Sequence, residues 1–193
     1  MRRVLGLKAD WHGTRRKLLL LAGYTSVVHL LLIQSRIKKL NVTGRRPGGS
    51  ELIALDIDYP GHDGLFNLRA IKPAGYTGAT GDDTLDLLGF DAQILDGDTI
   101  QFYFVNQRPP IGAFNNVIDA SVLGANSTIE VFEMRRGEDR MRHMRTIWSP
   151  AIHTPNRVAA LGNGAFLVTN DHSVKTGWVS DGISCRRCSD SNH

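Results

Sequence analysis

Thr99-Ile100-Gln101-Phe102-Tyr103-Phe104-Val105-Asn106 and Ser127-Thr128-Ile129-Glu130-Val131-Phe132-Glu133-Met134 decide the fold. Both runs are of strand length and dense in β-branched and aromatic residues, which suit a pleated, buried surface. Gly89–Leu95 precedes them across an Asp-Gly turn, and Met141–Trp148 follows across a charged turn containing glycine. Four antiparallel strands of this size make one propeller blade.

Outward from this blade the pattern continues. Glu51–Ile57 and Leu65–Ile71 read as two strands joined by a Pro-Gly turn, followed by a loop over Gly75–Gly81. Arg157–Leu161 and Ala165–Thr169 begin a further blade across Asn163-Gly164, a pair that favours the tight hairpin turn. The loop Gln107–Ala125 is long for a blade, and with Pro109, Pro110 and Asn115-Asn116 it is expected to cover one end of the propeller. The chain therefore holds the latter part of one blade, a full second blade and the start of a third.

The 193 residues carry a net charge of +4, with 41% hydrophobic content, enough for one globular domain with a core. The charge is unevenly placed. Residues 1–46 hold eleven Lys and Arg against the single acid Asp10, while the remainder holds 12 basic and 18 acidic side chains. Cationic residues confined to one arm, without an aromatic stacking platform, argue against a nucleic-acid surface. The acidic body favours cations. Cys185 and Cys188 stand alone in Cys-Arg-Arg-Cys, without a second ligand pair or a thioredoxin-like surround, so they read as structural or incidental.

Leu18–Ile33 is an apolar run broken by His29, flanked by Arg15-Arg16-Lys17 and by Arg36, Lys38 and Lys39. A full membrane span needs about 20 apolar residues, so the run is short. A buried helix and a signal peptide or signal anchor both stay open, the second implying membrane association through residues 18–33 or secretion. Asn41-Val42-Thr43 and Asn126-Ser127-Thr128 are glycosylation sequons, meaningful on a secretory route. The organisation expected is a basic, apolar segment over 1–46, a partial propeller over 47–178 and an irregular tail over 179–193.

At the end of the last apolar strand stands Thr169-Asn170-Asp171-His172. An amide oxygen and a carboxylate are hard donors suited to Ca²⁺, and neighbouring strand residues point to opposite faces. A turn whose Asn and Asp side chains bond the local backbone is the alternative reading. Ser173 beside His172 lacks a Gly-x-Ser-x-Gly elbow, so a nucleophile system is not indicated there.

Val105-Asn106-Gln107, Asn126–Phe132, Thr154–Val158 and Thr169–His172 occur in the order and approximate spacing of one family, and the chain resembles the serum paraoxonase/arylesterase family over roughly residues 50–178. The resemblance implies an incomplete six-bladed all-β propeller and calcium-dependent hydrolysis of aryl esters or lactones. It implies Asn170 as a catalytic-calcium ligand, Asp171 as a structural-calcium ligand and the Phe90 backbone carbonyl as a further donor. A six-bladed propeller needs well over ~250 residues at ~40 to 50 per blade, so this chain holds about two blades.

The resemblance also has gaps. The family's water-activating histidine falls on Leu88, which accepts no proton, and its partner histidine falls on Gln107. Asp86 and Asp91 lie close in sequence as substitute bases, or as ordinary strand and loop residues. The remaining calcium ligands have no counterpart, and both ends differ from the family, as a propeller fragment joined to unrelated ends by an imperfect gene model would. The expected protein is a weakly active or inactive form whose exposed blade edges invite self-association. The alternatives are a noncatalytic interaction module and a propeller of the strictosidine-synthase-like type, which uses side chains rather than metal; Asn170-Asp171 argues against the latter.

Overall fold

A computed structural model of the protein describes residues 5–6, 17–22, 48–60, 62–63, 66–119, 123–171 and 184–188. These form the strands β1 Leu5–Gly6, β2 Lys17–Ala22, β3 Glu51–Pro60, β4 Phe66–Ala74, β5 Leu87–Ile94, β6 Thr99–Arg108, β7 Asn126–Arg135, β8 Arg140–Ile147, β9 Pro155–Gly162, β10 Ala165–Asn170 and β11 Ser184–Cys188. The protein is all-β, an incomplete propeller-like fold. β5, β6, β7 and β8 pair consecutively and antiparallel, as a blade does.

The turns carry their own chemistry. Between β5 and β6 the Asp96 carboxylate accepts the N–H groups of Asp98 and Thr99 at 3.0 and 2.7 Å. Those bonds, Thr99 first, hold the Asp96 carboxyl below the usual carboxylate range. Between β9 and β10, Asn163 and Gly164 both take positive φ, 50° and 75°, the pair of angles that a two-residue hairpin turn matched to strand twist requires. The loop between β6 and β7 folds on itself, with Ile111 bridged to Val117 and Phe114 left 93% exposed near its tip.

Two cores form because successive residues of a strand face opposite ways. From β6, Ile100, Phe102 and Phe104 enter one core with Leu52, Ile71, Tyr76, Phe132 and Met141. Tyr103 and Val105 enter the other with Ile129, Val131, Val158, Phe166 and Val168. Burial on both faces explains why β6 reads as an almost unbroken apolar run. A fully buried Phe such as Phe104 contributes roughly 1.5–3 kcal/mol through its removal from water.

Three features depart from the sequence reading, one of them in the tail expected to be irregular, where Ser184–Cys188 forms β11 and pairs antiparallel with β10. The first residues of the apolar run are not helical: Lys17–Ala22 is β2, extended along β3, where its backbone groups find ladder partners from Asp56 to Glu51. The rest of that run lies outside the described residues. Further along, β4 does not stop at its hairpin with β3. Its last residues, Lys72–Ala74, pair in parallel with Arg140–Arg142 of β8, joining everything from β1 to β8 into one sheet. The sheet curls, bringing Leu52 and Ala54 of β3 into the core under the blade.

β9, β10 and β11 form a second sheet. It packs against β5 and β6 through the second core, as one blade packs on its neighbour. Gly89 permits the close approach, since a Cβ there would lie 2.7 Å from the Asn156 carbonyl oxygen. The Asp91 carboxylate accepts the Ala160 N–H at 2.8 Å and ties β5 to β9.

Candidate functional site

The strand pairing gathers five segment ends at one rim. The start of β5 lies beside the end of β6 (Leu87 with Asn106), and the end of β6 beside the start of β7 (Gln107 with Ser127). In the second sheet the start of β9 lies beside the end of β10 (Pro155 with Asn170). Gln107 joins the two groups: its Nε2 donates to the Pro155 carbonyl at 2.9 Å, and the side chain is buried.

Asn170 ends β10 at this rim and is buried, and Asp171, just beyond the strand, is exposed. Asn170 Oδ1 accepts two backbone N–H groups, from His153 and Thr154, both at 3.2 Å. Its Nδ2 donates to the Ala151 carbonyl at 2.8 Å. The Asp171 N–H donates to the Thr154 carbonyl at 2.9 Å. Both sides of the Asn-Asp pair thus hold the connection that carries the chain from β8 to β9.

Phe90 lies on β5, in the other sheet. Its ring packs against Phe104, with centroids 5.7 Å apart. A register shift between Leu87 and Gly89 changes the alternation, so Leu87 and Phe90 serve the first core while Leu88 serves the second. Leu88 is therefore a packing residue. Asp86 is buried, with its N–H on Asn106 Oδ1 and its carbonyl accepting the Gln107 N–H. Asp91 is engaged by β9. His172 and Ser173 lie outside the described residues.

Does this rim fit calcium? The donors are of the right chemical kind, but both lone pairs of Asn170 Oδ1 receive N–H groups, whose positive ends would repel a cation placed there. Ca²⁺ takes about 6–8 oxygens. Among the described residues no group of three or more His, Cys, Asp or Glu converges. The rim as it stands does not fit the ion, and the assignment of Asn170, Asp171 and Phe90 as ligands rests on the resemblance alone.

A second polar cluster was not anticipated. Glu130, fully buried on β7, accepts from Thr128 Oγ1 and Thr146 Oγ1, each at 2.5 Å, and from Asn106 Nδ2 at 3.3 Å. Thr128 and Asn106 reach Oε1, while His143 Nε2 lies 3.0 Å from Oε2, the oxygen that also accepts Thr146. Asn106 Nδ2 also donates to the Tyr76 hydroxyl at 2.8 Å. Burial, reinforced by the Glu130 charge, pushes the Tyr76 phenol up to about 12. The signal was present in the sequence: Glu130 shares the parity of Phe132 and Met134, which face the core.

This cluster is not a nucleophile relay. Thr146 and Glu130 both approach Nε2 of His143, whereas a relay uses the two ring nitrogens separately. Within the Asn126 sequon, Ser127 and Thr128 are buried and Thr128 is bound to Glu130.

Two curated relatives give the site a comparison. The chain is 28% identical over 123 residues to serum paraoxonase/arylesterase 1 of Rattus norvegicus, covering 62% of this chain and 31% of that protein. It is 27% identical over the same length to serum paraoxonase/arylesterase 1 of Mus musculus, with the same coverage. The chain spans about a third of the length of these relatives. No family model matches. The likeness is distant.

Proposed function

We propose that this chain is a segment of an ester-hydrolysing propeller of the arylesterase kind, with aryl esters or lactones as the substrate class. On its own it is weakly active or inactive. One observation carries the reading: the blade β5–β8, the following hairpin and the rim containing Asn170-Asp171 lie in the order of the motifs that the resemblance aligns, in a chain with a distant likeness to the two serum arylesterases. What the residues present here do is shape the wall: Leu88 supplies apolar surface, Gln107 and Asn170 fix the rim, and Asp171 leaves a carboxylate exposed.

The name of the relatives, serum paraoxonase/arylesterase 1, agrees with a secretory route for this chain. Among the described residues no helix is long and apolar enough to cross a membrane. Among the described residues the sheets end on β1 and β5 and on β9 and β11, and the outer edges β1 and β11 support self-association as part of the same reading.

A specific observation favours a second reading, a noncatalytic interaction module: the positions of the two family histidines carry Leu88 and Gln107, and both are used in packing. Titration of isotopically labelled full-length chain with phenyl acetate or a γ-lactone separates the two. The hydrolase reading expects amide shifts centred on Leu88, Gln107, Asn170 and Asp171, with slow ester cleavage or none. Absence of both shifts and cleavage at millimolar substrate would leave the module reading in its place.

A further inference from the structure

We infer that Asn170 and Gln107 act in this chain as the ties of an inter-blade joint, and that Asn170 is a positioning residue for the 151–154 turn rather than an ion ligand. The inference goes beyond the hydrolase reading and rests on the geometry of the rim, so its test involves no substrate.

The connection from Trp148 to Pro155 crosses from β8 of the first sheet to β9 of the second. Such a crossing exposes backbone donors and acceptors that neither ladder satisfies. Here side chains from three strands take them up. Asn170 of β10 accepts from the N–H groups of His153 and Thr154 and donates to the Ala151 carbonyl. Gln107 of β6 donates to the Pro155 carbonyl, and Ser127 of β7 to the His153 carbonyl at 3.5 Å. Asn170 and Gln107 are 3% and 6% exposed, so these bonds form away from competing water.

The amide at position 170 is matched to this task in both halves. Its oxygen meets donors and its nitrogen meets an acceptor, an arrangement that a carboxylate would break by setting one of its oxygens against the Ala151 carbonyl. An ion ligand has the opposite preference, since a carboxylate gains charge and attracts Ca²⁺ more strongly. Asn170→Asp therefore separates the two roles by sign.

The experiment is thermal unfolding of the full chain and of Asn170→Asp, each in chelator and in millimolar calcium chloride. The joint predicts a wild-type melting temperature indifferent to calcium and a variant that melts lower by about 4–10 °C in both media, the effect of one buried acceptor left facing another. A wild-type melting temperature raised by calcium, with a larger rise in Asn170→Asp, would overturn it. A calorimetric titration of the wild-type chain needs no variant. It is expected to show no heat with calcium beyond that seen with magnesium, and a calcium-specific isotherm would contradict the inference.

Discussion

Glu130 Oε2 lies 3.0 Å from His143 Nε2, joining two neighbouring strands inside the blade through a carboxylate with no exposed surface. The same carboxylate holds both Thr128 and Thr146. Removing it leaves two hydroxyls and an imidazole without their common acceptor.

Glu130→Ala is accordingly expected to cost about 2–5 kcal/mol, at roughly 1–3 kcal/mol for each buried donor left unsatisfied. Glu130→Gln, which keeps one acceptor oxygen, costs less. Denaturant unfolding measures both, and a loss below about 1 kcal/mol for the alanine variant would show that the cluster adds little to stability.

Tyr76 supplies a prediction in alkaline solution. Its folded phenol is pushed from 10.0 up to about 12, so the folded chain holds that proton more tightly than the unfolded chain does. The resulting stability is fully present below pH 10 and is lost as pH rises from 10 towards 12. Tyr76→Phe removes that part of the decline. A variant whose stability falls over this range as steeply as the wild type would refute the assignment.

Gly89 is the tightest point between the blades. A methyl group there would sit 2.7 Å from the Asn156 carbonyl oxygen, and the backbone cannot swing away from a bulge that Leu87 and Phe90 anchor in the first core. Gly89→Ala is expected to cost about 1–3 kcal/mol by forcing the sheets apart. Unfolding within about 0.5 kcal/mol of the wild type would mean that the inter-blade contact is looser than described.

Much of this architecture was legible in the chain. The β5–β8 meander follows from apolar runs separated by an Asp-Gly turn and a glycine turn, and Asn163-Gly164 marks its hairpin by the positive φ that both residues adopt. Local turn chemistry leaves a local signature. The parallel pairing of Lys72–Ala74 with Arg140–Arg142 left none, because it joins segments far apart whose pairing depends on how the sheet curls. β2 was obscured for a related reason: a short apolar run does not by itself distinguish a buried helix from a strand, and the partner that settles it is β3.

The rim was legible in part. Strand alternation expects Asn170 and Asp171 to face opposite ways, and the structure has Asn170 buried at the end of β10 with Asp171 exposed just beyond it. What the Asn170 amide binds was hidden, since the residues it serves, Ala151, His153 and Thr154, lie in another segment. Composition at position 170 suits both a backbone clamp and a hard-ion ligand, and only the surrounding N–H groups choose between them.

Backbone hydrogen exchange at His153, Thr154 and Asp171, followed with and without calcium, tests the joint most directly. The account predicts protection comparable to the β9–β10 ladder at all three amides, unchanged by the ion. Exchange at the rate of an open loop, or protection at His153 and Thr154 that collapses when calcium is added, would contradict it.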